Sequence, residues 1–456
     1  MISRRAPRMS QTPSRNIFVT FLGTNPYIAC NYHLDDGRGI SNVRFVQEAM
    51  VQLLCEQFTD NDRILICLTE EAAAKNWHDT AEGATHIPGL QSRLTATGKA
   101  ELIETVAIPA GKTPDEMWSI FACILAKLDH GDRITLDITH GFRSLPMLGL
   151  VLLHYARMLK QITIDGIYYG AFETLGTIRE VKNMEVSQRN APIFNLTDFS
   201  VLLDWSGAVR DFTHRGDPAD IAELLNQAAR PRNRISKGKD ELAGVWSAAS
   251  YHLKAVAQII KTCRGNELVK AEAFTKMHEN LIRCEQLPEL PHPFRPLLKQ
   301  IDSKIEAFQP DDIDNFLRAV KWCNQHGLTQ QSITLFQEGV VSLLCSRFCL
   351  DWRNKNARKM IEGSLHVNNQ NIPQTDWRSP LSDPAHKKLI TQILEDPIIS
   401  DISSRFDKLS KLRNDINHAG IVQSRCAARL EKEYKKNHRE IILILNRHRN
   451  VAIKGG

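Results

Sequence analysis

Apolar residues in the first 180 positions form short β-rich runs that alternate with amphipathic stretches. In Val43–Gln57, Pro114–Leu128 and Leu145–Leu159 the apolar positions recur every three or four residues, which predicts helices. The β-rich runs predict five strands: Ile17–Leu22, Arg63–Thr69, Leu102–Ile108, Arg133–Thr139 and Ile164–Gly170. Such alternation is typical of a parallel sheet covered by helices on both faces. The predicted fold of this part is therefore a Rossmann-like α/β domain.

The pattern changes near residue 195, beyond which amphipathic helical stretches continue to the end of the sequence. Loop-forming residues cluster at 230–234, 287–296 and 368–384, and they predict breaks between groups of helices. A chain of 456 residues is also long enough for two or three domains. The predicted division is a flexible tail at 1–14, a Rossmann-like domain at 15–185, a helical connector at 186–300 and an all-α domain at 301–456.

Two polar loops follow the first and fourth predicted strands. In a doubly wound sheet of order 3-2-1-4-5 the strand order reverses between those two strands, and ligands bind in the crevice at their carboxyl ends. Small residues let backbone N–H groups approach a ligand, and the helix that begins near Pro146 presents its positive end to a phosphate. The candidate ligand residues are Gly23, Thr24 and Asn25 in the first loop and Thr139, His140, Gly141, Arg143 and Ser144 in the second.

These loops predict a site for a nucleotide-like anion, in which Arg143 contacts a phosphate or stacks on a base. The alternative is that the second loop is only a helix-capping turn in which His140 bonds locally. Two familiar nucleotide sites are not supported. The first loop lacks the G-x-G-x-x-G pattern of dinucleotide sites, and the sequence Gly111-Lys112-Thr113 lacks the first glycine of an ATP-binding P-loop.

The composition of the sequence narrows the class of protein to which it can belong. Hydrophobic residues make up 42% and charged residues 24%, which is typical of a folded soluble protein. No apolar run approaches the roughly 20 residues of a membrane span, and no signal peptide is recognisable, so we expect a cytoplasmic protein with no membrane contact. None of the ten cysteines has C-x-x-C spacing, and no metal site is predicted.

The formal net charge of +6 is concentrated near the end of the sequence. From Leu381 onward there are 15 Lys and Arg residues against nine Asp and Glu residues. This excess favours a polyanionic partner, although a solvated helix surface explains it equally well.

The basic segment contains Arg413-Asn414-Asp415-Ile416-Asn417-His418, an R-x4-H sequence on a helical pattern. Chance alone is expected to produce this spacing about once in such a chain, so the motif is weak by itself. RNA carries its own nucleophile in the 2′-OH, and a site that neutralises the phosphate and moves protons can cut it without a metal. His418 suits general acid or base duty, and Arg413 can stabilise the phosphorane. Asn414 can orient His418 or contact the phosphate.

Helix geometry restricts this candidate site. Residues five apart on a regular helix point about 140° away from each other. Arg413 and His418 therefore converge on one phosphate only if the helix end unwinds, the arginine reaches around, or two motifs meet across a dimer. Glu338 is a further polar candidate that could orient the site, although a salt bridge or a solvent-facing carboxylate is the more ordinary interpretation.

Four segments together resemble the sensor domain of CRISPR-associated ribonucleases of type III systems, a family that joins a CARF domain to a HEPN domain. They are FLGTNPY at 21–27, RFVQEAM at 44–50, LTEEAAAKNW at 68–77 and LDITHGFRSLPM at 136–147. HEPN nucleases resemble the later motif, because they carry R-x4-H with a polar residue after the arginine, as Asn414 is here. The resemblance implies a CARF domain at 15–185 and a HEPN nuclease domain at 301–456.

In that family a dimer of sensor domains binds one cyclic oligoadenylate, often the tetra-adenylate, across its two-fold axis. The resemblance implies that this ring is the allosteric activator and that the eight loop residues named above bind it. It also implies a homodimer or higher even oligomer that acts in antiviral defence as a metal-independent endoribonuclease. Arg413, Asn414 and His418 would cut single-stranded RNA to leave a 2′,3′-cyclic phosphate and a 5′-hydroxyl.

The rival hypothesis is a non-catalytic, ligand-responsive regulator that binds nucleic acid, in which R-x4-H is an ordinary helix surface. Several points stay open from the sequence: the ring size of the activator, the base preference at the cut, the assembly beyond a dimer, the role of residues 186–400, and whether Thr24, Thr139 or His140 lets the sensor degrade its own activator.

Overall fold

The computed structural model describes residues 14–82, 84–141, 144–287, 292–421 and 425–454. The chain divides into two compact units, one ending at Val201 and the other beginning at Leu202. The predicted tail at 1–14 lies outside the described residues except for its last position. The first unit is an α/β sheet domain and the second is helical, which confirms the predicted fold classes.

An eight-stranded sheet forms the centre of the first unit. Its strands are β1 (Asn16–Phe21), β2 (Cys30–Leu34), β3 (Gly39–Val43), β4 (Arg63–Leu68), β7 (Ile103–Ala107), β8 (Arg133–Asp137), β9 (Thr163–Gly170) and β10 (Asn190–Asn195), while β5 (Thr80–Glu82) and β6 (Thr85–Ile87) form a separate hairpin. The order across the sheet is β3-β2-β10-β9-β8-β1-β4-β7. The five predicted strands correspond to β1, β4, β7, β8 and β9, and they lie in the order 3-2-1-4-5 with every neighbouring pair parallel.

Both faces of this sheet are buried, which explains the continuous apolar runs of its central strands. Ile17 and Phe21 of β1 pack in one core, whereas Phe18 and Leu22 pack in the other, because successive side chains of a strand point to opposite faces. The helices that cover the sheet or connect its strands are α1 (Val46–Leu54), α2 (Glu70–Ala72), α3 (Leu90–Thr95), α4 (Pro114–Leu125), α5 (Leu145–Lys160) and α6 (Ile178–Lys182). Helices α1 and α3 contribute to one core, and α4 and α5 contribute to the other.

Three strands at one edge of the sheet were not predicted. β2 and β3 pair antiparallel, and β10 lies between β2 and β9. β3 is mostly exposed and polar, so it lacks the hydrophobic pattern of a strand. Because β10 belongs to the sheet, the sheet extends past residue 185, where the predicted Rossmann-like domain ended.

Helices make up the second unit: α7 (Thr197–Arg215), which begins just before the division, α8 (Ala219–Ser236), α9 (Glu241–Lys261), α10 (Gly265–Lys270), α11 (Glu272–Gln286), α12 (Arg295–Ile305), α13 (Asn315–Gln325), α14 (Thr329–Arg347), α15 (Lys355–Gln370), α16 (Lys387–Glu395), α17 (Pro397–Asn417) and α18 (Ala427–Lys454). The predicted break at 230–234 is wrong, because α8 continues through Pro231. An interior proline costs about 3 kcal/mol, but α8 buries Leu225 and Ala229 and packs along α9. Burial of these apolar side chains offsets the missing hydrogen bond.

Helix α14 is the centre of the last part of the chain. It packs against α13, α15 and α17, and α17 in turn packs against α15 and α18. A buried hydrogen bond of 2.6 Å joins the hydroxyls of Ser332 on α14 and Tyr434 on α18. These contacts fix the surroundings of the R-x4-H sequence at the end of α17. Across the described ranges, no helix has the length and apolar content that crossing a bilayer requires.

Candidate functional site

The loops after β1 and β8 lie side by side, because these parallel strands are neighbours and their carboxyl ends meet at one edge. The Gly23 N–H donates to the Tyr27 hydroxyl at 2.9 Å. The Tyr27 ring packs edge-on against the His140 ring, with centroids 4.8 Å apart. The structure therefore brings together the two loops that the sequence selected for ligand binding.

Two glycines let these loops come close. A Cβ atom on Gly23 would lie 3.2 Å from the Tyr27 hydroxyl and 3.4 Å from His140 Nδ1. Gly141 has a φ of +131°, and a Cβ atom there would lie 2.2 Å from Leu145 Cδ1. A residue with a side chain at Gly141 would thus meet both backbone strain and a clash.

The other predicted ligand residues are placed as follows. Thr24 is half-buried and Asn25 is exposed. The Thr139 hydroxyl accepts a hydrogen bond from the Gly170 N–H at 2.8 Å, so this side chain anchors the loop to β9. Ser144 lies at the start of α5 without capping it, and its hydroxyl donates to Met117 Sδ. Arg143 lies outside the described residues.

Three side chains from other elements support the first loop and the strand ends, and the sequence motifs did not reveal them. The Asn76 amide donates to the carbonyl oxygens of Gly23 and Asn25, at 2.8 and 3.1 Å. The Gln47 amide donates to the Phe21 carbonyl at 2.8 Å. Buried Asp137 accepts from the Thr20 hydroxyl and the Thr139 N–H. A usable signal was present for Asn76, because it follows β4, the strand that neighbours β1.

Burial shifts the pKa values of His140 and Asp137 at this site. It lowers the pKa of His140 to about 4, so the imidazole is neutral near pH 7 and offers hydrogen bonds rather than positive charge. It raises the pKa of Asp137 above its ordinary value, while the hydrogen bonds from Thr139 and Thr20 act in the opposite direction.

Replacing His140 with Gln is expected to weaken the acid sensitivity of the first unit. Between pH 6.5 and about 4 the unfolded chain binds a proton at His140 that the folded chain does not, so stability falls as pH falls through this window. At pH 4.5 this effect amounts to roughly 2 kcal/mol, relative to pH 7.5. Urea unfolding of the wild-type and His140→Gln proteins at both pH values measures it. The same pH dependence in both proteins would contradict the assignment.

The R-x4-H sequence occupies the last turn of α17 and its C-cap. Arg413 faces α14, where its guanidinium lies 3.9 Å from a carboxylate oxygen of Glu338. The other oxygen of Glu338 accepts from Arg358 of α15 at 2.5 Å. Glu338 therefore forms a close salt bridge with Arg358 and a longer ion pair with Arg413. The buried Nε of Arg413 has no hydrogen-bond partner among the described residues.

His418 is the C-cap residue that follows the end of α17, and its side chain is exposed. Its backbone N–H donates to the Asn414 carbonyl at 2.9 Å, but over the described ranges its imidazole has no hydrogen bond or ion pair. Ala419 and Gly420 then turn the chain with φ of +54° and +67°. Asn414 is exposed on the same side of the helix as His418. Within one chain, Arg413 and His418 thus point in different directions.

Two acidic side chains in or near the R-x4-H sequence were not selected as candidates from the sequence. Asp415 is buried and accepts from Arg425 at 3.1 Å, and Arg425 also pairs with Glu433 of α18. These ion pairs tie the loop after α17 to both helices. On the Arg413 side, burial and then the nearby Glu338 charge raise the pKa of Glu362. Throughout the described ranges, no three His, Cys, Asp or Glu side chains form a group that could hold a metal ion.

The segment with both ligand loops has a counterpart among known protein families. Residues 17–173 match the CARF domain of the Csx1 family. The matching model is described as the CARF domain of the CRISPR system endoribonuclease Csx1, and the matched range contains all eight predicted ligand residues. This confirms the CARF part of the resemblance that the sequence motifs suggested. The R-x4-H sequence lies outside the matched range.

Similar proteins were found in two further comparisons. The CRISPR-associated protein MJ1674 of Methanocaldococcus jannaschii is 27% identical over 318 residues, which are 68% of this chain and 44% of the relative. The chain thus matches less than half of that relative's length. Among solved structures, Csm6 of Enterococcus italicus bound to cyclic hexa-2′-fluoro-hexa-dAMP has a TM-score of 0.40, with 12% identity and 94% of each chain covered.

Proposed function

We propose that this protein is a cytoplasmic endoribonuclease that a cyclic oligoadenylate activates, as part of type III CRISPR antiviral defence. The ring binds two CARF domains across a dimer, and the HEPN domain at 301–456 then cuts single-stranded RNA. The observation that carries the proposal is the contact between the two ligand loops inside the segment that matches a Csx1 CARF domain. The R-x4-H sequence at the end of α17 supports the HEPN assignment.

The loops at the switch point suit a cyclic oligoadenylate, of which the tetra-adenylate is our first choice. Thr24, Asn25 and neutral His140 offer directional hydrogen bonds to bases and sugars. The positive end of α5 and Arg143 are proposed to face the phosphates. Gly23 lets the first loop pack against His140 of the second loop, and Gly141 lets the second loop pack against Leu145.

The cutting chemistry is assigned to Arg413, His418 and Asn414. His418 takes the proton from the 2′-OH, the 2′ oxygen attacks the adjacent phosphorus, and the bond to the 5′ oxygen breaks as that oxygen gains a proton from water. The products are a 2′,3′-cyclic phosphate and a 5′-hydroxyl, and no metal is needed because the nucleophile belongs to the RNA. Arg413 stabilises the charge of the phosphorane.

The divergence of Arg413 and His418 favours a composite site. The long Arg413 side chain is held toward α14 by Glu338, while the His418 imidazole is exposed at the helix end. Two such motifs that face each other across a two-fold axis place an arginine of one copy near a histidine of the other. The proposed nuclease is therefore a homodimer or a higher even oligomer.

An apolar stripe in the CARF domain supports the dimer. Met147, Val151, Tyr155 and Met158 of α5 lie within an arc of about 80°. Met147, Val151 and Met158 are 71%, 55% and 72% exposed in the single chain. Trp118 of α4 is also exposed. It lies near this stripe, because the Phe121 ring contacts both Trp118 and Tyr155. Because α5 begins directly after the second ligand loop, pairing along this stripe would place two ligand loops in one cleft.

The double variant Met147→Glu with Val151→Glu is expected to be monomeric at micromolar concentration. Dimerisation would bury two unpaired carboxylates per copy, which should weaken association at least 100-fold. Light scattering coupled to gel filtration measures the mass. Ile235→Glu is the matched control, since Ile235 is 86% exposed on α8. A double variant that remains dimeric would rule out this stripe as the interface.

Analysis of the RNA ends tests the proposed chemistry. Single-stranded RNA is incubated with the protein and cyclic tetra-adenylate, with and without EDTA, and the fragments are identified by mass spectrometry. We expect cyclic phosphate and 5′-hydroxyl ends in both reactions. Fragments with 5′-phosphate ends, or a reaction that stops in EDTA, would contradict the metal-independent mechanism.

A further inference from the structure

A basic cavity lies between α17 and α18, close to the end of the R-x4-H sequence. Its volume is about 370 Å³. The residues that line it are Arg405, Lys408, Lys411, Leu412, Arg425, Glu433, Lys436, Asn437 and Glu440. Five of these side chains are cationic and two are anionic, so the cavity carries a net positive charge. None of them was selected by a sequence motif.

The cations of this cavity are of two kinds. Arg405 pairs with Glu440 at 3.0 Å, Arg425 pairs with Asp415 and Glu433 at 3.1 Å, and Lys411 pairs with an aspartate of its own helix at 2.7 Å. In contrast, Lys408 and Lys436 are exposed and form no salt bridge with any described residue. The arginines thus support the walls, and the two lysines remain available to an anion.

One wall of the cavity also contains a hydrogen-bond acceptor that has no donor among the described residues. Asn437 is buried, and its amide nitrogen donates to the Arg405 carbonyl at 2.8 Å, which fixes the orientation of the amide. Its Oδ1 has no partner among the described residues. A buried acceptor of this kind gains a hydrogen bond from a ligand that supplies a hydroxyl.

One residue that lines the cavity, Lys411, lies on the same side of α17 as His418. Lys411 and His418 are seven residues apart, so they differ by only about 20° around the helix and about 10 Å along it. Arg413 points to the opposite side, toward α14. A polynucleotide that passes His418 can therefore continue along α17 into the cavity without crossing Arg413.

We infer that this cavity binds the backbone of single-stranded RNA next to the cut. Lys408 and Lys436 contact a phosphate, and a ribose 2′-hydroxyl donates to Asn437 Oδ1. This inference rests on the proposed ribonuclease function and extends it, because it assigns a substrate subsite outside the R-x4-H sequence. Since phosphate and ribose carry no base identity, the subsite favours RNA over DNA without selecting a sequence.

The test compares two double variants in the His418→Ala protein, so that the RNA stays intact during binding. Lys408→Gln with Lys436→Gln removes the two available charges. Lys388→Gln with Lys435→Gln removes the same charge from exposed lysines that do not line the cavity, one of which is the neighbour of Lys436 on α18. Fluorescence anisotropy with a labelled single-stranded RNA, and with DNA of the same sequence, gives the dissociation constants over a range of salt concentrations.

We expect the cavity variant to bind RNA about ten-fold more weakly, with a salt dependence reduced by about 0.7 in logarithmic slope, while the control stays within two-fold. We also expect the protein with both lysines intact to bind RNA more tightly than DNA. Unchanged RNA binding in the cavity variant, or an equal loss in the control, would overturn the lysine subsite. Equal binding of RNA and DNA would overturn the ribose contact. If the wild-type protein failed to cut RNA with any cyclic oligoadenylate, the ribonuclease proposal would fail. The binding comparison would still test whether the cavity binds RNA.

Discussion

Replacement of His418 with alanine is expected to lower activator-dependent RNA cutting about 1,000-fold, because the reaction loses its general base. Arg413→Ala should lower it at least 100-fold, through the loss of charge stabilisation in the transition state. Neither change should alter the affinity for cyclic tetra-adenylate by more than two-fold, since the ligand loops belong to the first unit. Cutting rates under single-turnover conditions and calorimetric binding of the ring measure the two effects separately.

The matched control for this experiment is His366→Ala, which removes another exposed histidine from the helical unit. It should cut RNA at the wild-type rate. If His418→Ala cut as fast as the control, the R-x4-H sequence would be an ordinary helix surface. A wild-type protein that binds both the ring and RNA without cutting would favour the regulator hypothesis.

A bulky residue at Gly141 is expected to abolish activation because it prevents binding of the cyclic oligoadenylate. Gly141→Val forces a β-branched residue into a backbone conformation with φ of +131°, and its Cβ atom would meet Leu145 at 2.2 Å. The loop after β8 must then change its conformation. We expect the affinity for the cyclic oligoadenylate to fall at least 100-fold and stimulated cutting to disappear.

Gly131→Val separates this local effect from general strain. Gly131 also has a positive φ, of +81°, but no atom of the described residues lies within 4 Å of a Cβ atom there, and it precedes the amino end of β8. This control should lose some stability and keep its ring affinity. Thermal melting and RNA binding of the Gly141 variant show whether the chain remains folded. Normal ring affinity in a folded Gly141→Val protein would mean that the second loop does not bind the activator.

The central strands could be predicted from the sequence because both faces of each strand are buried. β1 and β4 are nearly continuous apolar runs, and the polar loops after β1 and β8 then followed from the predicted strand order. The edge strands could not be predicted in the same way. In β3 most side chains face solvent, so pairing with β2 rather than burial makes it a strand.

The contacts of the residues that support the candidate sites could not be predicted from sequence patterns either. The Asn76 amide reaches Gly23 across 53 residues of sequence, and the Gln47 amide reaches Phe21 across 26 residues, so the sequence did not assign a contact to either side chain. Glu338 was a candidate from the sequence, but its contact with Arg413 depends on the packing of α14 against α17. Helix geometry did predict that Arg413 and His418 would diverge. It could not show that Arg413 would be held toward Glu338 while His418 would stay exposed at the helix end.

The most direct test of the proposed function is the cutting of a fluorescent single-stranded RNA by the purified protein, without activator and with cyclic oligoadenylates of several ring sizes. We expect little cutting without activator and at least a 100-fold increase with one ring size, most plainly the tetra-adenylate. Cutting that does not respond to any ring, or no cutting at all, would contradict the account.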